Sequence, residues 1–301
     1  MAETESHSIT ARPSIHLNAH IHIGTCAWTH EDWLGSFYPA DLPGSRWLAA
    51  YARVFNAVEI DSTFYELPAP GEAAHWLAGT PAHFRFTCLA PQAITHQLRL
   101  RDCERALEDF LESIQPLHAR LGAILFHLPP SFTPERDGLA LRDFVLGLPH
   151  GWKFVIDFSD PDWHHPRFVK LLEDHGVCWA WSDTSSLADQ DQAPFGILPE
   201  TADFLYVRLL GDLRAEPGGD PRDRAREGPP PRASAIESWA VRLQKQAEHV
   251  RNVYILCGNR YEGFAPATCR ELGSRLGLDF ALPPGASPEP AAKGPRQMEL
   301  L

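Results

Sequence analysis

Eight short β-rich runs, separated by helix-like stretches, constrain this chain more than any other feature. They are Ile21–Trp28, Ala57–Thr63, Phe84–Ala90, Ala123–Leu128, Lys153–Phe158, Val177–Ser182, Phe204–Leu210 and Val253–Cys257. Val, Ile, Phe and Trp dominate them. Several are apolar almost throughout, the pattern of strands covered on both faces. Helical periodicity fills the gaps at Ser45–Phe55, Asp102–Leu121, Pro166–His175, Ala233–Val250 and Pro266–Leu276, more weakly at Gly71–Ala78 and Glu135–Leu146. In Ala233–Val250, for example, Ile236, Trp239, Ala240, Leu243 and Ala247 recur at helical spacing. Repeated strand–helix alternation predicts an α/β fold, a (β/α)8 TIM-like barrel. A doubly wound sheet is the rival. Its glycine-rich phosphate turn is missing, because the first turn reads Gly24-Thr25-Cys26-Ala27-Trp28.

The barrel is expected over residues 15–282. Residues 1–14 read as a flexible leader, 212–232 as a mobile loop after the seventh strand, and 283–301 as a disordered tail. The loop and the tail hold five Pro each and too little apolar periodicity to offset the entropy of ordering. An apolar content of 44% excludes wholesale disorder. No apolar run reaches the length of a membrane span, and Met1–Pro13 has no apolar core of a secretory signal. The six cysteines form no C-x-x-C pair and read as buried thiols of a reducing compartment, so the expected location is cytoplasmic. A net charge of −12 argues against a surface that grips nucleic acid throughout.

A barrel places its chemistry at the C-terminal strand ends. Those ends carry Glu59 and Asp61, then His96, His127, Asp157, Asp183, Arg208 and Asn259. Glu59, Asp157 and Arg208 sit inside apolar strands, where a charge is costly unless paired. One reading is a structural ion network in the barrel mouth. The other is chemistry: acid–base work, an arginine anchor for an anion, or a divalent metal on oxygen ligands. His20-x-His22 lies at the opposite end of its strand and is not expected to bind metal. His164-His165 reads as a loop or capping feature. Trp28, Trp33 and Trp163 fall near the strand-to-helix loops, where an aromatic face can stack a base or sugar, but core packing is the expectation for each.

Several motifs in order carry a family resemblance. They are Ile23-Gly24-Thr25-Cys26-Ala27-Trp28, Trp33-x-Gly35-x-Phe37-Tyr38-Pro39, Val58-Glu59-Ile60-Asp61-Ser62-Thr63-Phe64-Tyr65, Ala90-Pro91-x-x-Ile94-Thr95-His96, Leu128-Pro129-Pro130-Ser131-Phe132, Pro161-x-Trp163, Thr201-Ala202-Asp203-Phe204-x-Tyr206-Val207-Arg208-Leu209 and Asn259-x-Tyr261-Glu262-Gly263. With these the chain resembles the YecE-like family, the bacterial domain of unknown function 72, over about residues 21–276. The resemblance implies a TIM-like barrel and supplies no established reaction. Relative to that family, Leu89 stands where Lys is common, and Asp157-Phe158-Ser159-Asp160 where Glu-Phe-Arg-His is common. Leu210 replaces a His and Gly258 an Asn. Glu59, Thr63, His96, Arg208 and Asn259 remain. Altered specificity and lost activity both stay open.

The last five residues, Gln297-Met298-Glu299-Leu300-Leu301, resemble the pentapeptide that docks bacterial replication and repair proteins onto the sliding clamp. Gln297 would supply a hydrogen-bonding head, and Met298, Leu300 and Leu301 would fill apolar pockets. The competing reading is an apolar end on a disordered tail. The leading functional expectation is a metal-assisted phosphodiester hydrolase linked to DNA metabolism through this tail. Glu59, Asp157 and Asp183 would hold a divalent ion, with His96 as acid or base. Thr63, Tyr65, Arg208 and Asn259 would bind substrate. The alternatives are a carbohydrate-active or isomerase-type barrel and a non-catalytic clamp-bound adaptor.

Overall fold

The computed structural model describes residues 19–183, 199–211, 233–246, 249–259, 264–278 and 280. Nine parallel strands make one sheet: β1 His20–Cys26, β2 Ala57–Ile60, β3 Arg85–Leu89, β4 Leu121–Leu128, β5 Phe154–Phe158, β6 Cys178–Trp179, β7 Trp181–Ser182, β8 Phe204–Leu209 and β9 Asn252–Cys257. Their spatial order is β6-β5-β4-β3-β2-β1-β9-β8-β7. β6 and β7 flank Ala180, whose N–H donates to the carbonyl of Ile156 at 2.9 Å. β6 pairs with β5 and β7 with β8, so the two halves form one broken strand that completes a nearly closed barrel. The eight-run reading is therefore the observed architecture, with the sixth run interrupted at one residue.

Helices wrap the outside: α1 Trp47–Tyr51, α2 Glu72–Ala78, α3 Glu104–Ile114, α4 Pro134–Gly147, α5 Pro166–Asp174, α6 Ala233–Gln246 and α7 Ala265–Arg275. Alternation along each strand separates two cores. One apolar layer lies between barrel and helices, including Ile23, Val58, Phe86, Ile124, Ile156 and Val207. A smaller cluster fills the barrel itself, with Leu125, Val155, Cys178, Phe204, Tyr206 and Tyr254. Gly122 belongs to this interior. A Cβ there would meet the Tyr254 ring at 2.4 Å, so the strand needs glycine for the ring to cross the barrel. Six free cysteines are present, five of them buried.

Trp28, Trp33 and Trp163 are core residues, buried to 8%, 0% and 0% relative exposure, so none offers a face to a ligand. His22 stacks on Tyr254 in the barrel interior. The Nδ1 of His165 accepts from the Arg167 N–H at the start of α5, the capping role expected from sequence. Residues 1–14, 212–232 and 283–301, with the three flexible segments and the clamp-like pentapeptide read there, lie outside the described residues. Among the described residues, no helix is long and apolar enough to cross a membrane.

Candidate functional site

At the C-terminal ends of the strands, alternation turns Glu59 of β2, His127 of β4, Asp157 of β5 and Arg208 of β8 to one place. Arg208 bridges the carboxylates: Nη2 to Glu59 Oε1 at 2.8 Å and Nη1 to Asp157 Oδ2 at 3.0 Å. All three are buried, at 5%, 0% and 2% exposure. The Tyr206 hydroxyl lies 2.7 Å from Glu59 Oε2 and 2.9 Å from Thr87 Oγ1. With a single proton it donates to the carboxylate and accepts from Thr87. This is the structural ion network anticipated for charges embedded in apolar strands.

The network controls a histidine. His127 is opposite Asp157 in the β4–β5 register, and its Nδ1 lies 2.9 Å from Asp157 Oδ2. Burial pushes the Asp157 carboxyl up. The hydrogen bond and charge of His127, with Arg208, outweigh burial and hold it below the usual carboxylate range. An ionised carboxylate only accepts, so in the neutral ring Nδ1 carries the proton and Nε2 keeps the lone pair. The His127 side chain is 26% exposed. The His96 ring sits 6.2 Å from it, centroid to centroid. Burial first, then His127 and Arg99, lower the His96 pKa. Its Nδ1 meets the Thr95 hydroxyl at 2.9 Å.

His96 stands on an unusual support. Residues Ala93–Gln97 form a π-helical turn, a form common at functional sites. Arg99, Leu100 and Asp102 follow at φ 54°, 61° and 45°. Left-handed backbone costs a side-chain-bearing residue about 1–2 kcal/mol. The segment is retained because Arg99 and Arg101 both bind Asp137 of α4, which is fully buried. Burial alone would raise the Asp137 carboxyl; the two arginines and the Thr133 N–H hold it below its ordinary range.

The β1–β2 side of the mouth adds Cys26, His30 and Asp61. His30 Nε2 is 3.2 Å from the Cys26 carbonyl, and burial lowers its pKa. Burial, then the charge of Glu59, raises both the Cys26 thiol and the Asp61 carboxyl.

Other sequence candidates have different places. Asp183 Oδ1 accepts the N–H groups of Leu210 and Gly211 at 2.7 and 3.1 Å, which fixes the chain leaving β8. The expected carboxylate triad for a divalent ion is therefore corrected. Asp183 faces backbone donors, a guanidinium stands between Glu59 and Asp157, and among the described residues no three metal-ligating side chains converge. Arg208 gives Nη1 to Asp157 and Nη2 to Glu59, while its buried Nε has no hydrogen-bond partner among the described residues. Thr63 is fully buried, its hydroxyl 2.7 Å from the Leu89 carbonyl and 2.9 Å from that of Ile60, so it ties β2 to β3 rather than touching substrate. Asn259 Oδ1 accepts from Trp33 Nε1 at 3.0 Å and the Ala265 N–H at 3.1 Å, which joins the first loop to α7. Tyr65 is 74% exposed and packs edge-on against Phe64, whose ring meets His96 edge-on at 5.1 Å. The sequence places His127 on strand 4 but assigns no role to it or to Tyr206. Matching the polar ends of strands 4 and 5 would have paired His127 with Asp157.

The fold and site define a parallel α/β barrel whose buried arginine–carboxylate network holds His127 at the C-terminal strand ends. Residues 22–293 match the family described as protein of unknown function DUF72, and the chain belongs to that family. It is 34% identical to the UPF0759 protein YecE of Escherichia coli K12 over 154 residues, 51% of this chain and 52% of that protein. The chain thus matches about half the length of that relative. The UPF0759 protein YunF of Bacillus subtilis is 24% identical over 298 residues, covering 93% of this chain and all of that one. A DUF72 family crystal structure from Thermotoga maritima has a TM-score of 0.68 and 25% identity, over 85% of this chain and 99% of its own.

Proposed function

We propose that this barrel is an acid–base enzyme of the isomerase type, acting on a neutral, hydroxyl-bearing substrate such as a carbohydrate. The observation that carries the reading is the buried Asp157 carboxylate 2.9 Å from His127 Nδ1, with the His96 ring centroid 6.2 Å from that of His127. His127 Nε2 removes a proton beside a carbonyl, and His96 returns one to the enediolate. Atoms are rearranged and none is added. The electrostatics favour a neutral substrate. Glu59, Asp61, Asp157 and Asp183 line these strand ends, while Arg208 and Arg99 are each held by carboxylates. Glycoside cleavage by two carboxylates fits less well, because Arg208 engages both Glu59 and Asp157.

Solvent deuterium incorporation into a panel of neutral aldoses and ketoses, followed by NMR with chelator present, tests the proposal. The expected result is exchange on at least one sugar, reduced about 10²–10⁴-fold by His127→Gln. Chelator-sensitive hydrolysis of chromogenic phosphodiesters, without exchange on any sugar, would overturn it in favour of the metal-assisted hydrolase. Docking of Gln297–Leu301 on the sliding clamp is a separate proposal resting on sequence. Deleting those five residues should abolish clamp binding in a titration, and unchanged binding ends the idea.

A further inference from the structure

We infer that Asp137, on the outer helix α4, is a positioning residue for His96. The inference rests on the acid–base reading for its purpose, but on independent geometry for its mechanism. The π turn Ala93–Gln97 presents His96 to the mouth, and the chain must then reverse toward α3. It does so through Arg99, Leu100 and Asp102, all left-handed and none a glycine. Such a run relaxes unless its surroundings over-determine it.

The surroundings are a dense set of bonds that converge on one carboxylate. Arg99 Nη2 binds Asp137 Oδ2 and the Ser131 carbonyl, the latter at 2.9 Å, and Arg99 Nη1 donates to Ser131 Oγ at 3.1 Å. Arg101 Nη2 takes Asp137 Oδ1 at 2.9 Å and the Arg136 carbonyl at 3.0 Å. The Thr133 N–H donates to Asp137 Oδ2 at 3.0 Å, and the Asp137 N–H returns a bond to the Thr133 carbonyl at 2.8 Å. The π turn is bonded into the same segment, Leu98 N–H to the Ala93 carbonyl at 2.8 Å and Leu100 N–H to that of Ile94 at 3.0 Å. Strain in residues 99–102 is thus transmitted directly to the turn that carries His96. Asp137 touches neither imidazole. It acts by keeping the left-handed backbone in place, and with it the spacing between His96 and His127.

The test is Asp137→Asn in the full-length protein, with the two imidazoles followed by NMR across a pH titration. His96 faces His127 from β4, Phe64 from the loop after β2, and Arg99 from its own segment. Burial is the first cause of its lowered pKa, so a relaxed segment moves the His96 titration upward and removes the Phe64 ring-current shift. His127, held by Asp157, should keep its own resonances. Adding Asp102→Gly, which lets that left-handed residue form without its penalty, should move the His96 titration back toward the parent. Arg101→Ala, a milder variant that spares the Arg99–Asp137 pair, should shift His96 in the same direction by less. If Asp137→Asn folds and leaves His96 unmoved, or if Arg101→Ala does so where Asp137→Asn fails to fold, the positioning role is overturned. A shifted His96 in a protein that exchanges no sugar proton sinks the acid–base reading while the positioning role of Asp137 stands. Activity lost in His96→Gln, beside an unmoved His96 in Asp137→Asn, sinks the positioning role of Asp137 alone.

Discussion

Arg208 shows how much a single buried charge organises here. Its guanidinium compensates Glu59 and Asp157 at once, and the Tyr206 hydroxyl and His127 add a further polar partner to each. Replacing it with Met leaves two like charges buried without their cation. The expected cost is about 3–5 kcal/mol in denaturant unfolding, because uncompensated buried charge is the expensive state. A loss below about 1 kcal/mol would mean the pair is solvated rather than buried. The sequence showed that these three residues needed partners, since each interrupts an apolar run. It did not show that they were one another's partners. His127 lacked such a signal, because a lone imidazole in a strand carries no obligatory charge and is commonly a packed core residue.

Elements were legible where period and length agreed. Strands β1 to β5, β8 and β9 fall within or across the expected runs, and α4 to α7 arise where periodicity placed them. The reading of Asp102–Leu121 as one helix is cut to α3 plus a tighter turn at Gln115–Arg120. Pro116 explains the change, since it lacks the N–H that would continue the helix and its ring crowds the carbonyl one turn back. The break at Ala180 and the π turn at His96 were illegible, because both are set by tertiary pairing rather than by residue type. Register also sets where glycine is obligatory. Gly122→Ala should destabilise by about 1–3 kcal/mol, as overpacking does when a side chain is forced into a filled core. Wild-type stability in chemical denaturation would show that the Tyr254 ring moves aside freely.

The whole molecule divides its chemistry between the two barrel ends. At the end opposite the site, burial pushes the His22 imidazole down to about 4. The Asn252 hydrogen bond opposes that shift, and the charges of Arg85, His20 and Lys153 reinforce it. In the unfolded chain the same group titrates near its ordinary value of 6.5. Its lowered folded pKa means that stability falls as pH drops from about 6.5 to about 4, by roughly 3 kcal/mol, and this group adds no further loss below that. His22→Gln should flatten the unfolding free energy across that window, and an unchanged slope would assign the loss to other groups. At the candidate-site end, the proposed function rests on how Asp157 presents His127. The most direct measurement is the ¹⁵N spectrum of the His127 ring in its neutral form. A protonated Nδ1 with a pyridine-type Nε2 resonance, reverting in Asp157→Asn, is the expected result. A neutral ring protonated on Nε2 would leave no base facing the mouth and would contradict the account.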